Sequence, residues 1–260
     1  MSGRNLPLAL WFWLFVLFLF TPLLVMAAMG LRDSNFVAFP IQRWTTRWYV
    51  EVLSDRDYRA ALWVSVQVAI WSTALAMAVG VPMAFAVARL RGGMRQLAVA
   101  IIVVPAFLPI VVSAIALRMF LGRLGLEPGI AAIAFGHAVG SVPFVVVMLL
   151  TRLNALPPSM PEAARNLGAD EMVVLLRIVF PFLAPALFGA FLFCLLLSFE
   201  DFMRSFFLGG FDPTFPVLLF ARLRFGFNPG LAAISTLVLV ATVMVGLYAE
   251  RFLRRRGVER

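Results

Sequence analysis

Residues 6–29 read LPLALWFWLFVLFLFTPLLVMAAM, a stretch without a single charge. As a helix rising 1.5 Å per residue, it is long enough to cross the roughly 30 Å hydrocarbon core of a bilayer. Arg4 ahead of it and Val25-Met26-Ala27 near its end give it the outline of a secretory signal peptide. A signal core, however, holds only about 7–15 apolar residues, so the stretch is expected to remain as a first membrane span. Apolar runs of similar length recur between short polar breaks at 61–88, 97–121, 130–152, 183–208 and 231–253. About six crossings follow. The fold class is then an all-α integral membrane protein, because a backbone facing lipid must satisfy its N–H and C=O groups within each helix.

Composition points the same way. The 260 residues are 63% hydrophobic with a mean hydropathy of +0.98, against about 45–50% apolar residues in soluble domains. One transmembrane domain over residues 1–260 is expected. A net charge of +9 on a soluble protein would suggest nucleic acid. Here the basic residues stand mainly at the ends of apolar runs, where they anchor to the membrane edge, so lipid is the expected partner and nucleic acid is not. All 22 basic residues are arginine. Without lysine the chain has neither a Walker A phosphate loop nor a Schiff-base nucleophile. Its one histidine, His137, cannot build a multi-histidine metal site, and its one cysteine, Cys194, has no partner for an intrachain disulfide. No catalytic residue, metal or cofactor is expected.

Six crossings put both termini on one side. The tail Arg251, Arg254, Arg255, Arg256 and Arg260 and the tight loop Arg89, Arg91 and Arg95 mark that side as cytoplasmic. Residues 30–60, with mixed charges and Trp44, Trp48 and Tyr49, then lie along the outer interface. In the fourth span Gly136-His137-Ala138-Val139-Gly140 is a small-xxx-small pattern that lets helices approach closely.

Residues 153–182 are the longest cytoplasmic segment. Ser159-Met160-Pro161-Glu162 has the form of a capping box, which predicts a helix from about Met160. Met160, Ala163, Ala164 and Leu167 then share one face, and Gly168 follows where a left-handed turn can end a helix. Asp170 and Glu171 suit the start of a second helix running toward Pro181. With two alanines on its face, the first helix is thin enough to lie deep in a groove of another protein. The plainer reading is a surface helix that connects two spans.

Glu162-Ala163-Ala164, Gly168, Ile178 and Pro181, at this spacing, resemble the EAA loop of the permeases of binding-protein-dependent ABC importers. The wording Pro161-Glu162-Ala163-Ala164-Arg165-Asn166-Leu167-Gly168-Ala169 is most similar to spermidine/putrescine permeases. The resemblance runs from about Pro109-Ile110-Val111-Val112-Ser113, through His137, to Ser198-Phe199-Glu200-Asp201-Phe202 and Ser205-Phe206-Phe207. It implies the type I importer permease fold and a place in the bacterial inner membrane. It also implies that Met160 to Gly168 is the coupling helix docked on a separate ATP-binding subunit, with Glu162 as its anchoring acid. The implied partners are a dimer of that ATPase, a second homologous permease expected to be a different chain, and an extracytoplasmic solute-binding protein. The implied solute is a polyamine or another small polar molecule.

Glu200 and Asp201 in the fifth span are candidates for the translocation pathway or its gate, since charges within spans are functional by default. Arg204, four and three residues later, offers the alternative of ion pairing along one helix, and it stands where polyamine permeases tend to be apolar. For His137 the expectation is a hydrogen bond in helix packing. Pro105, Pro109 and Pro143 are expected to kink their spans, and Arg118 and Arg123 to snorkel outward. The competing function is a secondary transporter or channel, for which inverted repeats with paired broken helices would be expected. A membrane enzyme ranks third, since no cluster of histidines or carboxylates suits one.

Overall fold

The computed structural model describes residues 6–34 and 41–255, with side chains for 8–34 and 41–251. Arg4, Arg256 and Arg260 lie outside the described residues, as do the side chains of Arg254 and Arg255. Among the described residues the regular structure is helical, apart from an isolated bridge between Arg32 and Trp44. The helices are α1 (Leu6–Gly30), α2 (Arg47–Ser54), α3 (Arg56–Arg89), α4 (Gly92–Phe107), α5 (Ile110–Arg123) and α6 (Ile130–Asn154). They continue as α7 (Ser159–Asn166), α8 (Glu171–Val174), α9 (Phe180–Glu200), α10 (Phe202–Leu208), α11 (Phe215–Leu223) and α12 (Pro229–Arg255). Five stretches are long and apolar enough to cross a membrane alone: Leu8–Gly30, Arg56–Arg89, Ile130–Asn154, Glu171–Glu200 and Pro229–Arg251. A sixth apolar stretch is a pair of helices, α4 and α5, bent by 99°, which has the form of a broken span or of a re-entrant loop.

Two expected spans are therefore divided. The run 97–121 breaks at Leu108–Pro109, because proline cannot donate an N–H and pushes the residue before it out of the helical region. Leu108 is extended, at φ −69° and ψ 139°. Pro105 and Pro143 lie inside α4 and α6 without ending them. The run 183–208 breaks at Asp201, extended at φ −72° and ψ 95°, whose carboxylate accepts from the Arg204 N–H at 2.9 Å and so caps α10. Upstream the same helix is longer than expected. A π-helical turn, Leu175–Val179, joins α8 to α9 without interruption, giving a rod from Glu171 to Glu200 about 45 Å long at 1.5 Å per residue.

The chain divides into two compact units, residues 60–218 and the remainder. In the remainder, α1 packs on α12, and the backbone of Ala233 lies 3.0 Å from where a side chain on Gly30 would begin. Trp48 of α2 is buried and donates its indole N–H to the Arg32 carbonyl at 2.8 Å, closing the segment that follows α1. Arg222 pairs with Asp57 at 2.6 Å. In the 60–218 unit, α6 is the central helix. Thirteen of its residues are buried, and Val145, Val146, Leu149 and Leu150 form a core with Ala76, Ala84 and Val87 of α3 and Cys194 of α9.

Candidate functional site

The first set of candidate residues surrounds α7. This helix starts at Ser159, one residue early, and Pro158 occupies the capping position at φ −62° and ψ −25° with no side-chain cap. The expected capping box does not form. Pro158 is already helical, so Ser159 falls inside the first turn, where its hydroxyl is not placed to cap the helix. The helix ends as expected. Gly168 has φ +85°, its N–H donates to the Arg165 carbonyl at 2.9 Å, and the Ala169 N–H donates to the Ala164 carbonyl at 3.0 Å. These two bonds make a Schellman motif, which needs a left-handed residue at its turn.

Asp170 then starts α8 by accepting from the Met172 and Val173 N–H groups at 2.5 and 3.0 Å. Across the turn, Arg165 grips Glu171 with both arms of its guanidinium, Nε to Oε1 at 2.6 Å and Nη2 to Oε2 at 3.1 Å. That hydrogen bond raises the Arg165 pKa above its ordinary value. The pairing makes one bracket of α7 and α8, and the sequence reading missed it. The six-residue separation across a turn belongs to no helical periodicity.

No residue of α7 is buried. Glu162 and Ala163 are exposed, Ala164 is half-buried, and Met160 and Leu167 are 47% and 89% exposed. The apolar face is thus formed and open. Ile178 lies half-buried in the π turn, and Pro181 lies exposed in the first turn of α9, where a missing N–H costs little.

The second set meets at the break between α9 and α10. Asp201 and Arg204 pair at 2.6 Å, with side chains only 6% and 12% exposed. Glu200 is exposed and does not join them, because it ends α9 and the break removes the one-turn spacing expected to bring it to Arg204. His137 is buried on α6. Its Nδ1 lies 2.8 Å from Ser198 Oγ of α9, and its Nε2 lies 3.2 Å from Ser205 Oγ of α10 and 4.0 Å from Asp201 Oδ2. Ser72 of α3 adds a contact to Ser198 at 2.8 Å. The packing hydrogen bond expected of His137 is present, within a larger network. Both glycines of the small-xxx-small pattern are seats for α10. A side chain on Gly140 would meet the Arg204 guanidinium at 2.8 Å, and one on Gly136 would collide with Leu208. Sequence pattern flags the glycines but not their occupants, because α10 falls within the run 183–208 expected to be one span.

This architecture has known counterparts. A permease from a bacterial importer of the acidic polysaccharide alginate superposes with a TM-score of 0.76 at 18% identity, covering 97% of this chain and 98% of that one. One from the MetNI methionine ABC transporter superposes at 0.64 and 20% identity, covering 75% and 94%. These likenesses establish the fold. In sequence, the chain is 27% identical over 240 residues to the spermidine/putrescine transport system permease protein PotC of Escherichia coli (strain K12), covering 91% of this chain and 90% of that protein. It is 29% identical over 272 residues to the putrescine transport system permease protein PotI of the same organism, covering 99% and 96%. A permease of a binding-protein-dependent importer works with a separate ATPase and a solute-binding protein. Residues 76–256 match the binding-protein-dependent transport system inner membrane component family. The chain belongs to that family and is an inner-membrane permease subunit of an ATP-binding-cassette importer.

Proposed function

We propose that the solute is a polyamine, spermidine or putrescine, and that this chain forms one half of its pathway beside a second, homologous but different permease. The observation that carries the reading is the similarity, over nine-tenths of both chains, to PotC and PotI, whose names state those solutes. Residues 1–260 act as one permease domain with both termini in the cytoplasm. The loop at about 153–182 couples it to an ATPase dimer. In that loop Glu162, Ala163, Ala164 and Gly168 dock, while Ile178 and Pro181 shape the return into the membrane. The exposed, apolar face of α7 supports this role, since such a face has no partner within the described residues. Glu200, Asp201 and Arg204 mark the pathway or its gate. An exposed carboxylate at Glu200 fits a wet pathway better than lipid, where charge is costly.

The test is to purify the complex with its own ATPase, second permease and binding protein, place it in proteoliposomes, and measure uptake of radiolabelled spermidine and putrescine. ATP-dependent, saturable uptake of at least one is expected. A complex that imports neither, and whose binding protein carries a different solute by mass spectrometry, overturns the polyamine reading.

A further inference from the structure

The helices on either side of the coupling loop meet again at their far ends. The chain leaves α6 at Asn154, passes through α7 and returns along the rod Glu171–Glu200. A long lever should be weakest at a break, and the rod breaks at Asp201, where α10 departs. That break also carries a cluster of buried polar contacts. His137 of α6 reaches Ser198 before the break and Ser205 after it. Asp201 caps α10 and pairs with Arg204, and Arg204 is seated on Gly140 of α6. One imidazole and one ion pair thus bind both sides of the break to the same helix.

Buried polar groups with complementary partners fix one geometry, because any slippage strands a desolvated charge or hydroxyl.

We propose that His137, Asp201 and Arg204 are positioning residues of the transport cycle. They stiffen the α9–α10 break, so that movement delivered at the coupling loop reaches α10 without being absorbed there. The proposal rests on the importer reading, and its consequences are mechanical. When the ATPase acts, α9 and α10 keep their mutual distance and move against the rest of the bundle together.

The decisive variant is the double substitution Asp201→Asn with Arg204→Met. It removes both charges together, avoiding the penalty of a single buried charge, and asparagine can still cap α10. Nitroxide labels at Ala184→Cys on α9 and Phe206→Cys on α10, in a Cys194→Ala background, report the distance across the break. They are read in the complex with its ATPase, with and without ATP. In the otherwise unaltered chain the distance distribution should be narrow and unchanged by ATP. In the double variant it should broaden, and spermidine imported per ATP hydrolysed should fall about fivefold, while Arg204→Lys keeps most of both properties.

A distribution that stays narrow in the double variant overturns the proposal. So does a broadened one with undiminished import per ATP. Should the double variant not reach the membrane, His137→Phe keeps the volume of the ring but removes the imidazole contacts to Ser198 and Ser205 on the two sides of the break without touching the ion pair. Unchanged distances and transport in that variant would equally overturn it. Failure of the unaltered complex to import spermidine counts against the polyamine reading alone, and the label distances still decide the lock.

Discussion

Gly168 has a left-handed backbone and nothing within 4 Å of where a side chain would begin. A substitution there changes backbone preference and little else. Gly168→Val should cost about 1–2 kcal/mol at the turn, whereas Gly168→Asn, which tolerates this conformation, should be mild. The expected outcome is normal membrane abundance for both, with co-purifying ATPase and solute uptake reduced in the valine variant only. Equal behaviour of the two would show that the turn does not set the docking geometry. Glu162 answers a different question. Since no capping box forms, Glu162→Ala should leave α7 folded, losing only its charge in the first turn and its attraction to Arg165, and act mainly on what the carboxylate meets outside the chain. Abundance should hold while ATPase co-purification falls, and unimpaired co-purification would remove Glu162 from the docking contact.

At the scale of elements, α7 and α8 form a bracket closed by the Schellman turn, the Asp170 cap and the Arg165–Glu171 pair. Replacing Ala163 or Ala164 by tryptophan should leave this bracket folded, because neither residue is buried within the chain, yet hold α7 away from its partner's groove. Pull-down of the ATPase should be lost with membrane levels unchanged, and retained binding together with normal uptake would reduce α7 to a connector. Much of this element was legible in the sequence, because glycine and aspartate carry local chemistry: left-handed φ at Gly168 and a side-chain cap at Asp170 depend on neighbours only three residues away. The breaks were harder. Pro109 is announced by its own ring, but Asp201 reads as a charge within a span and not as a break. Its extended backbone is tied to buried groups on helices dozens of residues distant, which period and composition do not encode. The same non-locality hid Ser72, Ser198 and Ser205, three hydroxyls that look alike in sequence and converge on His137 and one another.

For the molecule as a whole, the sidedness of the termini depends on the bent pair. At 1.5 Å per residue, α4 and α5 reach about 24 and 21 Å, each short of the roughly 30 Å core, so they cross as a pair or not at all. If they cross, the chain makes six passages. Reporter fusions after Arg95, near Asn166 and at Arg260 should then read cytoplasmic, and those near Tyr49 and Asp212 exterior. If the pair dips in and returns, Asn166 and Arg95 report opposite sides, and the six-passage topology falls. The crossing is the outcome expected from the short arginine cluster 89–95 as a cytoplasmic marker and from the coupling role proposed for the loop at 153–182.

The π turn between α8 and α9 has a consequence for phase. On a wheel of 3.6 residues per turn, Leu183, Ala190 and Cys194, the buried side of α9, fall within about 40° of one another, while Val174, nine residues before Leu183, falls roughly 180° away. Val174 is nevertheless buried, at 2% exposure. The extra residue in Leu175–Val179 turns the upstream segment by about one residue's arc, some 100°, so Val174 is off the buried face of α9, and α8 packs against α7 instead. The rod thus carries two helical phases, one keyed to the bundle and one to the coupling loop, and a single inserted residue is the offset between them.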